Sequence, residues 1–165
     1  MKLKMLILSV VIISNVFPQK LEQPKLVVGI VVDQMRFEDL YRYYNFFDND
    51  GFKKLLNYGA NFTYAHFNYE PTTTAPGHAS IFTGSVPYFH GIVANDFFDK
   101  KTKKMINAVK DENYISVGSD DEVGKCSPKR LLASTITDQI KLFNNFQSKV
   151  ITISLKDRGA VLPGG

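Results

Sequence analysis

The chain has 165 residues, the size of one ordinary domain. With 44% hydrophobic and 22% charged residues, plus 13 Phe and 8 Tyr, it can build a core; this excludes a disordered tail, a collagen-like chain and a disulfide-stapled mini-protein. The net charge is +4, but no Lys/Arg cluster is interleaved with stacking aromatics, so nucleic acid is not an expected partner.

Residues 1–19 read as a signal peptide. Lys2 and Lys4 precede the apolar run Leu6–Ile13, which is too short to span a bilayer. Cleavage near Gln19 removes both lysines and leaves no stable membrane span. The mature domain is then residues 20–165, exported to the periplasm or secreted. The alternative for this segment is a membrane anchor. Cys126 is the one cysteine, so no internal disulfide is available.

Lys25–Val32 is apolar on both faces, as expected of a strand buried in a parallel sheet, and it ends at Asp33. Phe52, Leu55 and Leu56 have helical spacing, stopped by Gly59. Ala60–Tyr69 reads as a second strand. Thr74–Phe82 reads as a short helix closed by Gly84. Ala94–Val109 predicts a hairpin with the Lys-rich tip 100–104, a solvated turn rather than a binding patch. Asp111–Lys125 is polar loop. Ser127-Pro128 predicts a helix start, with Leu132, Ile136, Ile140 and Phe143 on one face to about Asn145. Lys149–Leu155 is a further strand. This alternation is α/β.

In α/β sheets ligands sit beyond the carboxyl ends of strands. Asp33 lies there, as a metal ligand or as a helix-capping or surface acid. Thr74 begins a helix whose free N–H groups favour an anion, and a metal ion can activate a Thr hydroxyl. Read alone, this Thr/Pro-rich turn is also an ordinary helix cap. Lys156 and Arg158, two apart in an extended segment, share a face and suit a dianionic phosphoryl group or a solvated loop. Two motifs are set aside. Cys126-Ser127-Pro128-Lys129-Arg130 matches a sulfatase pattern in the wrong place. Asn61-Phe62-Thr63 is a glycosylation acceptor inside a predicted strand, expected to be unmodified.

In this order the motifs resemble the alkaline phosphatase superfamily. The resemblance runs through Leu26–Arg36, Pro71–Gly84, His90-Gly91-Ile92, Asn95-Asp96 and Ser154–Arg158. It is closest to secreted bacterial alkaline phosphatases with a threonine nucleophile. It implies an α/β/α sandwich of that type, incomplete at the C-terminus, and a zinc-dependent phosphomonoesterase. Thr74 would be the nucleophile, forming a phosphothreonine and touching the zinc that Asp33 ligates. Asn95, Lys156 and Arg158 would bind phosphoryl oxygens. Two Zn2+ sites are implied, with their other ligands in a missing C-terminal half. His78 and His90 are expected to be structural hydrogen-bonding residues. The substrate expected is a phosphate monoester, because Lys156 and Arg158 offer two cations to a dianion. Pro76 is a feature often found in the diesterase and nucleotide pyrophosphatase relatives. The chain alone is expected to be inactive. The contrasting reading is a non-catalytic exported remnant or phosphate-binding protein.

Overall fold

The computed structural model describes residues 24–165, so the expected signal peptide lies outside the described residues. It divides into two units, one reaching to Val31 and the other Val32–Gly165. The described part of the first, residues 24–31, carries no strand. No helix among the described residues is long and apolar enough to cross a membrane.

The second unit begins with a turn at Asp33-Gln34. Gln34 takes the left-handed φ of 63°, unusual for a residue with a Cβ. Helix α1 (Phe37–Arg42) follows, started by the reciprocal pairing of Arg36 and Asp39. A 3-10 turn, Tyr44–Phe46, leads to α2 (Phe52–Tyr58). The long helix α3 (Thr74–Thr83) ends at Gly84, whose φ of 62° is the left-handed stop expected of glycine. After α4 (Pro87–His90), β1 (Asp96–Asp99) and β2 (Lys104–Asn107) form an antiparallel hairpin. Helices α5 (Ile136–Phe143) and α6 (Asp157–Gly164) complete the chain.

The core is small and built on α3. Ala75 and Ala79 present short side chains that allow close approach, and Ile92, Ala108, Val109 and Leu162 bury against them. Helix α3 packs on α6 and on α4. Phe97, Cys126, Leu131 and Val161 surround this cluster.

Three expected strands are corrected. Lys25–Val32, Ala60–Tyr69 and Lys149–Leu155 have no ladder partner; the paired strands among the described residues are the hairpin alone. An apolar run becomes a strand only when a neighbour takes its N–H and C=O groups. The sandwich is thus represented by its helices and one small sheet. The helix expected from Pro128 starts instead at Ile136. Ser127 donates its hydroxyl to Asp111 at 2.6 Å, whereas Thr135 and Asp138 form the capping box. Helix α6 is not expected from the sequence, because Gly159, Pro163 and Gly164 hide its pattern; it replaces the extended segment expected at Lys156–Arg158.

Candidate active site

Thr74 occupies the first turn of α3, after the extended Thr73. Gly77 N–H already bonds Thr73 C=O, and Pro76 has no N–H. Ala75 N–H is taken by Asn95 Oδ1 at 2.8 Å. The first turn therefore offers fewer free N–H groups to an anion than its sequence suggests.

The Thr74 hydroxyl donates to Asp33 Oδ2 at 3.1 Å. Lys156 Nζ lies 2.9 Å from the same carboxylate oxygen and 3.3 Å from Thr74 Oγ1. Three groups far apart in sequence thus meet at one point. The Lys156 ammonium, opposed by partial burial and aided by the Thr74 hydroxyl, holds the Asp33 carboxyl below its usual range. A carboxylate so stabilised is a poor proton acceptor, and it accepts the hydrogen bond of the Thr74 hydroxyl.

Asn95 precedes β1 and is held by its own backbone, since Ala108 N–H donates to Asn95 C=O at 2.8 Å. Its Oδ1 is committed to Ala75, which leaves the Nδ2 hydrogens to donate. Asn107 steadies the hairpin by donating to Asp96 and accepting from Val109 and Lys110 N–H.

Arg158 is placed differently from expectation. Lys156 caps α6 and Arg158 lies in its first turn, so the two are not in one extended segment. The Arg158 guanidinium pairs with Asp157 at 3.2 Å, and its buried Nε has no partner among the described residues. No hydrogen bond joins it to Asp33, Thr74 or Asn95.

His78 Nδ1–H donates to Thr74 C=O at 2.8 Å, one turn along α3. His90 is fully buried; its Nδ1 accepts Ile92 N–H at 3.2 Å, which leaves Nε2–H to donate to Ser80 Oγ at 2.9 Å. Burial pushes its pKa below the ordinary imidazole value. Both histidines have the structural roles expected. The turn at Gln34 and the i, i+4 link from His78 to Thr74 were not anticipated. Only the spacing of the second was visible in the sequence.

Asp33 Oδ2 and Thr74 Oγ1 are close enough to share one cation at ordinary zinc–oxygen distances. They are two donors, and a zinc site takes three or four. No cluster of three His, Cys, Asp or Glu exists among the described residues. The donor set fits one edge of a metal site and does not complete it. A cleft of about 560 Å³ lined by Phe67, Asn68, Tyr69, Glu70 and Thr72 stops short of Thr74 and is not the centre of this chemistry.

Residues 27–148 match the family model described as type I phosphodiesterase / nucleotide pyrophosphatase. Alkaline phosphatase PhoV of Synechococcus elongatus is 50% identical over 92% of this chain and 28% of its own length. A protein of Myroides odoratus named calcium-transporting ATPase is 54% identical over 89% of this chain and 27% of its own. The crystal structure of alkaline phosphatase PafA, a protein of Elizabethkingia meningoseptica, superimposes with a TM-score of 0.85 at 51% identity. It covers 87% of this chain, which covers 28% of it. A variant structure of PafA, 48% identical, is substituted at one Thr, one Asn, one Lys and one Arg. The chain spans little more than a quarter of the length of these relatives. With its fold shared with PafA and its sequence matched over most of its length, the chain belongs to the type I phosphodiesterase / nucleotide pyrophosphatase family, within the alkaline phosphatase superfamily.

Proposed function

We propose that the chain carries the nucleophile and phosphoryl-binding part of an exported phosphomonoesterase of the alkaline phosphatase type. The observation that carries this is the meeting of Thr74, Asp33 and Lys156 at the N-terminus of α3. The substituted PafA variant supports the residue set. Its Thr-to-Asn and Lys-to-Arg spacings equal those between Thr74 and Asn95 and between Lys156 and Arg158.

Thr74 gives its hydroxyl proton to solvent and its Oγ attacks phosphorus in line with the departing alkoxide, which takes a proton from water; a second water then displaces the Thr74 oxygen from the phosphothreonine, releasing phosphate and restoring the hydroxyl. Asp33 aims the hydroxyl. Lys156 stabilises the alkoxide and the phosphoryl charge, and Asn95 Nδ2 donates to an equatorial oxygen. Arg158 joins them once its guanidinium turns from Asp157. Zinc, held in part by Asp33 and Thr74, would supply Lewis acidity and a lowered hydroxyl pKa; its other ligands, and those of a second zinc, would come from the rest of the fold. Two cations suit the dianion of a monoester. The family description and Pro76 favour a second reading, diester or pyrophosphate hydrolysis.

The chain alone is expected not to hydrolyse p-nitrophenyl phosphate, with or without zinc. Combined with the remaining portion of a relative, it should hydrolyse the monoester faster than bis-p-nitrophenyl phosphate. Mass spectrometry of acid-quenched enzyme should find the phosphoryl group on Thr74. Activity unchanged in Thr74→Ala would overturn the proposal, and faster diester cleavage would install the second reading.

A further inference from the structure

His78 links the two helices that carry the site. Thr74 is the first residue of α3, and a helix end frays unless its groups are held. The His78 Nδ1–H reaches back one turn to the Thr74 carbonyl at 2.8 Å, so a side chain fastens the turn that bears the Thr74 hydroxyl. The imidazole is buried, and its other edge faces the first turn of α6. A Cβ added at Gly159 would lie in contact with His78 Nε2, at 3.6 Å, so that turn backs the ring directly. The same turn begins at Lys156: Gly159 N–H donates to Lys156 C=O at 2.9 Å, and Lys156 N–H donates to Ser154 Oγ at 3.2 Å. The side chains at the two helix starts then meet. Lys156 Nζ lies 3.3 Å from Thr74 Oγ1, and both are bonded to Asp33 Oδ2.

We propose that His78 is a positioning residue for the reaction: its Nδ1–H fixes the Thr74 carbonyl and thereby the place of the Thr74 hydroxyl, while α6, which delivers Lys156, backs the ring and keeps that donor in line. Nucleophile and phosphoryl-binding lysine are thus set against one another through one imidazole. His78 bonds a backbone carbonyl and no reacting atom, so it acts through Thr74. Its consequence for catalysis rests on the phosphomonoesterase reading; the placement of Thr74 does not. A shift of about 1 Å in an attacking group can cost about 10²-fold in rate, so a ring that holds only the backbone can govern the chemistry.

Two substitutions test this. His78→Phe keeps a ring and removes the donor; His78→Asn keeps an N–H donor at the place of Nδ1. In the whole chain, labelled with carbon-13 and nitrogen-15, His78→Phe should move the Thr74 carbonyl signal upfield and weaken the Overhauser contact between the Thr74 methyl and the Lys156 ε-methylene. His78→Asn should leave both as they are in the unaltered chain. In the chain combined with the remaining portion of a relative, His78→Phe should lower kcat/KM for p-nitrophenyl phosphate by about 10–10²-fold. Inhibition by inorganic phosphate should not change, and His78→Asn should recover the rate. Unmoved signals in His78→Phe, failure of His78→Asn to restore them, or loss of amide protection throughout α3 in both variants would overturn the inference, the last because it marks a residue that only stabilises the fold. If the unaltered combination does not hydrolyse the ester, that counts against the phosphomonoesterase, and the spectra still decide the placement.

Discussion

The side-chain carbonyl of Asn95 accepts the Ala75 backbone N–H at 2.8 Å, so one residue caps the helix that begins at Thr74 and keeps its Nδ2 hydrogens to donate. Two substitutions separate these tasks. Asn95→Asp keeps the acceptor and removes the donor; Asn95→Ala removes both. In the assembled enzyme each should lower kcat/KM by about 10²–10³-fold, the effect of losing one oxyanion donor. Only Asn95→Ala should also destabilise the fold, by about 1–3 kcal/mol for an unpaired amide. Denaturation midpoints beside the kinetics check the split.

Removing Lys156 should release Asp33. In Lys156→Met the Asp33 carboxyl, followed by carbon NMR, should titrate at higher pH than in the unaltered chain, toward the ordinary carboxylate range. The lowered folded value means the pairing stabilises the fold above the unfolded pKa. That contribution disappears as pH falls through the folded pKa. Both partners are more than a third exposed, so the change in stability should be small. An unmoved Asp33 titration would refute the pairing.

Asp111 should dominate acid sensitivity in the loop before α5. It is buried and accepts from Ser127 at 2.6 Å, from the Lys129 ammonium at 2.6 Å, and from Asn113. Lys129 first, then Ser127, hold its carboxyl far below the usual range. Its stabilisation is complete above the unfolded pKa near 4 and is lost as pH falls toward the folded value. Urea midpoints should fall steadily below about pH 4 in the unaltered chain, and less steeply in Asp111→Asn.

Helix α5 depends on its cap. Thr135 Oγ1 accepts Asp138 N–H at 3.1 Å, and Asp138 accepts Thr135 N–H at 2.8 Å. Thr135→Ala should cost about 1 kcal/mol, seen as a fall in Tm of roughly 3 °C.

Gly159 is required by contact rather than by φ. A Cβ there meets Ser154 Oγ at 2.5 Å and His78 Nε2 at 3.6 Å. Gly159→Ala should destabilise by about 1–3 kcal/mol through overpacking. Adding Ser154→Gly should recover part of the loss in a denaturation double-mutant cycle.

The parts that were legible in sequence are those whose signals are local. Thr74–Gly84 combines a Thr-rich entry with a left-handed glycine exit, and the hairpin's tip lies between β1 and β2 as expected. Signals that depend on a distant partner misled. Ser127 looks like a cap until Asp111, sixteen residues earlier, takes its hydroxyl. Lys149–Leu155 has the composition of a strand, but a ladder needs a second strand. Lys156 and Arg158 were expected on one extended segment; Lys156 lies beside Asp33 and Thr74, whereas Arg158 turns with the first residues of α6 toward Asp157. Type and order of residues singled out Asp33, Thr74 and Lys156, which the fold brings together; helix onset decided that Arg158 turns elsewhere.

The imidazole of His90 has a consequence for the conditions in which Thr74's helix holds firm. Both ring nitrogens are engaged in the neutral form, and a proton on Nδ1 would break the contact with Ile92. The unfolded chain takes that proton near pH 6.5 while the folded one resists it, so stability declines as solutions become more acid than this and is level above it. His90 therefore takes nothing from the stability of helix α3 in neutral or mildly alkaline surroundings. In an acidifying compartment the contact between His90 Nδ1 and Ile92 N–H would be lost, while the Nε2–H bond to Ser80 would remain.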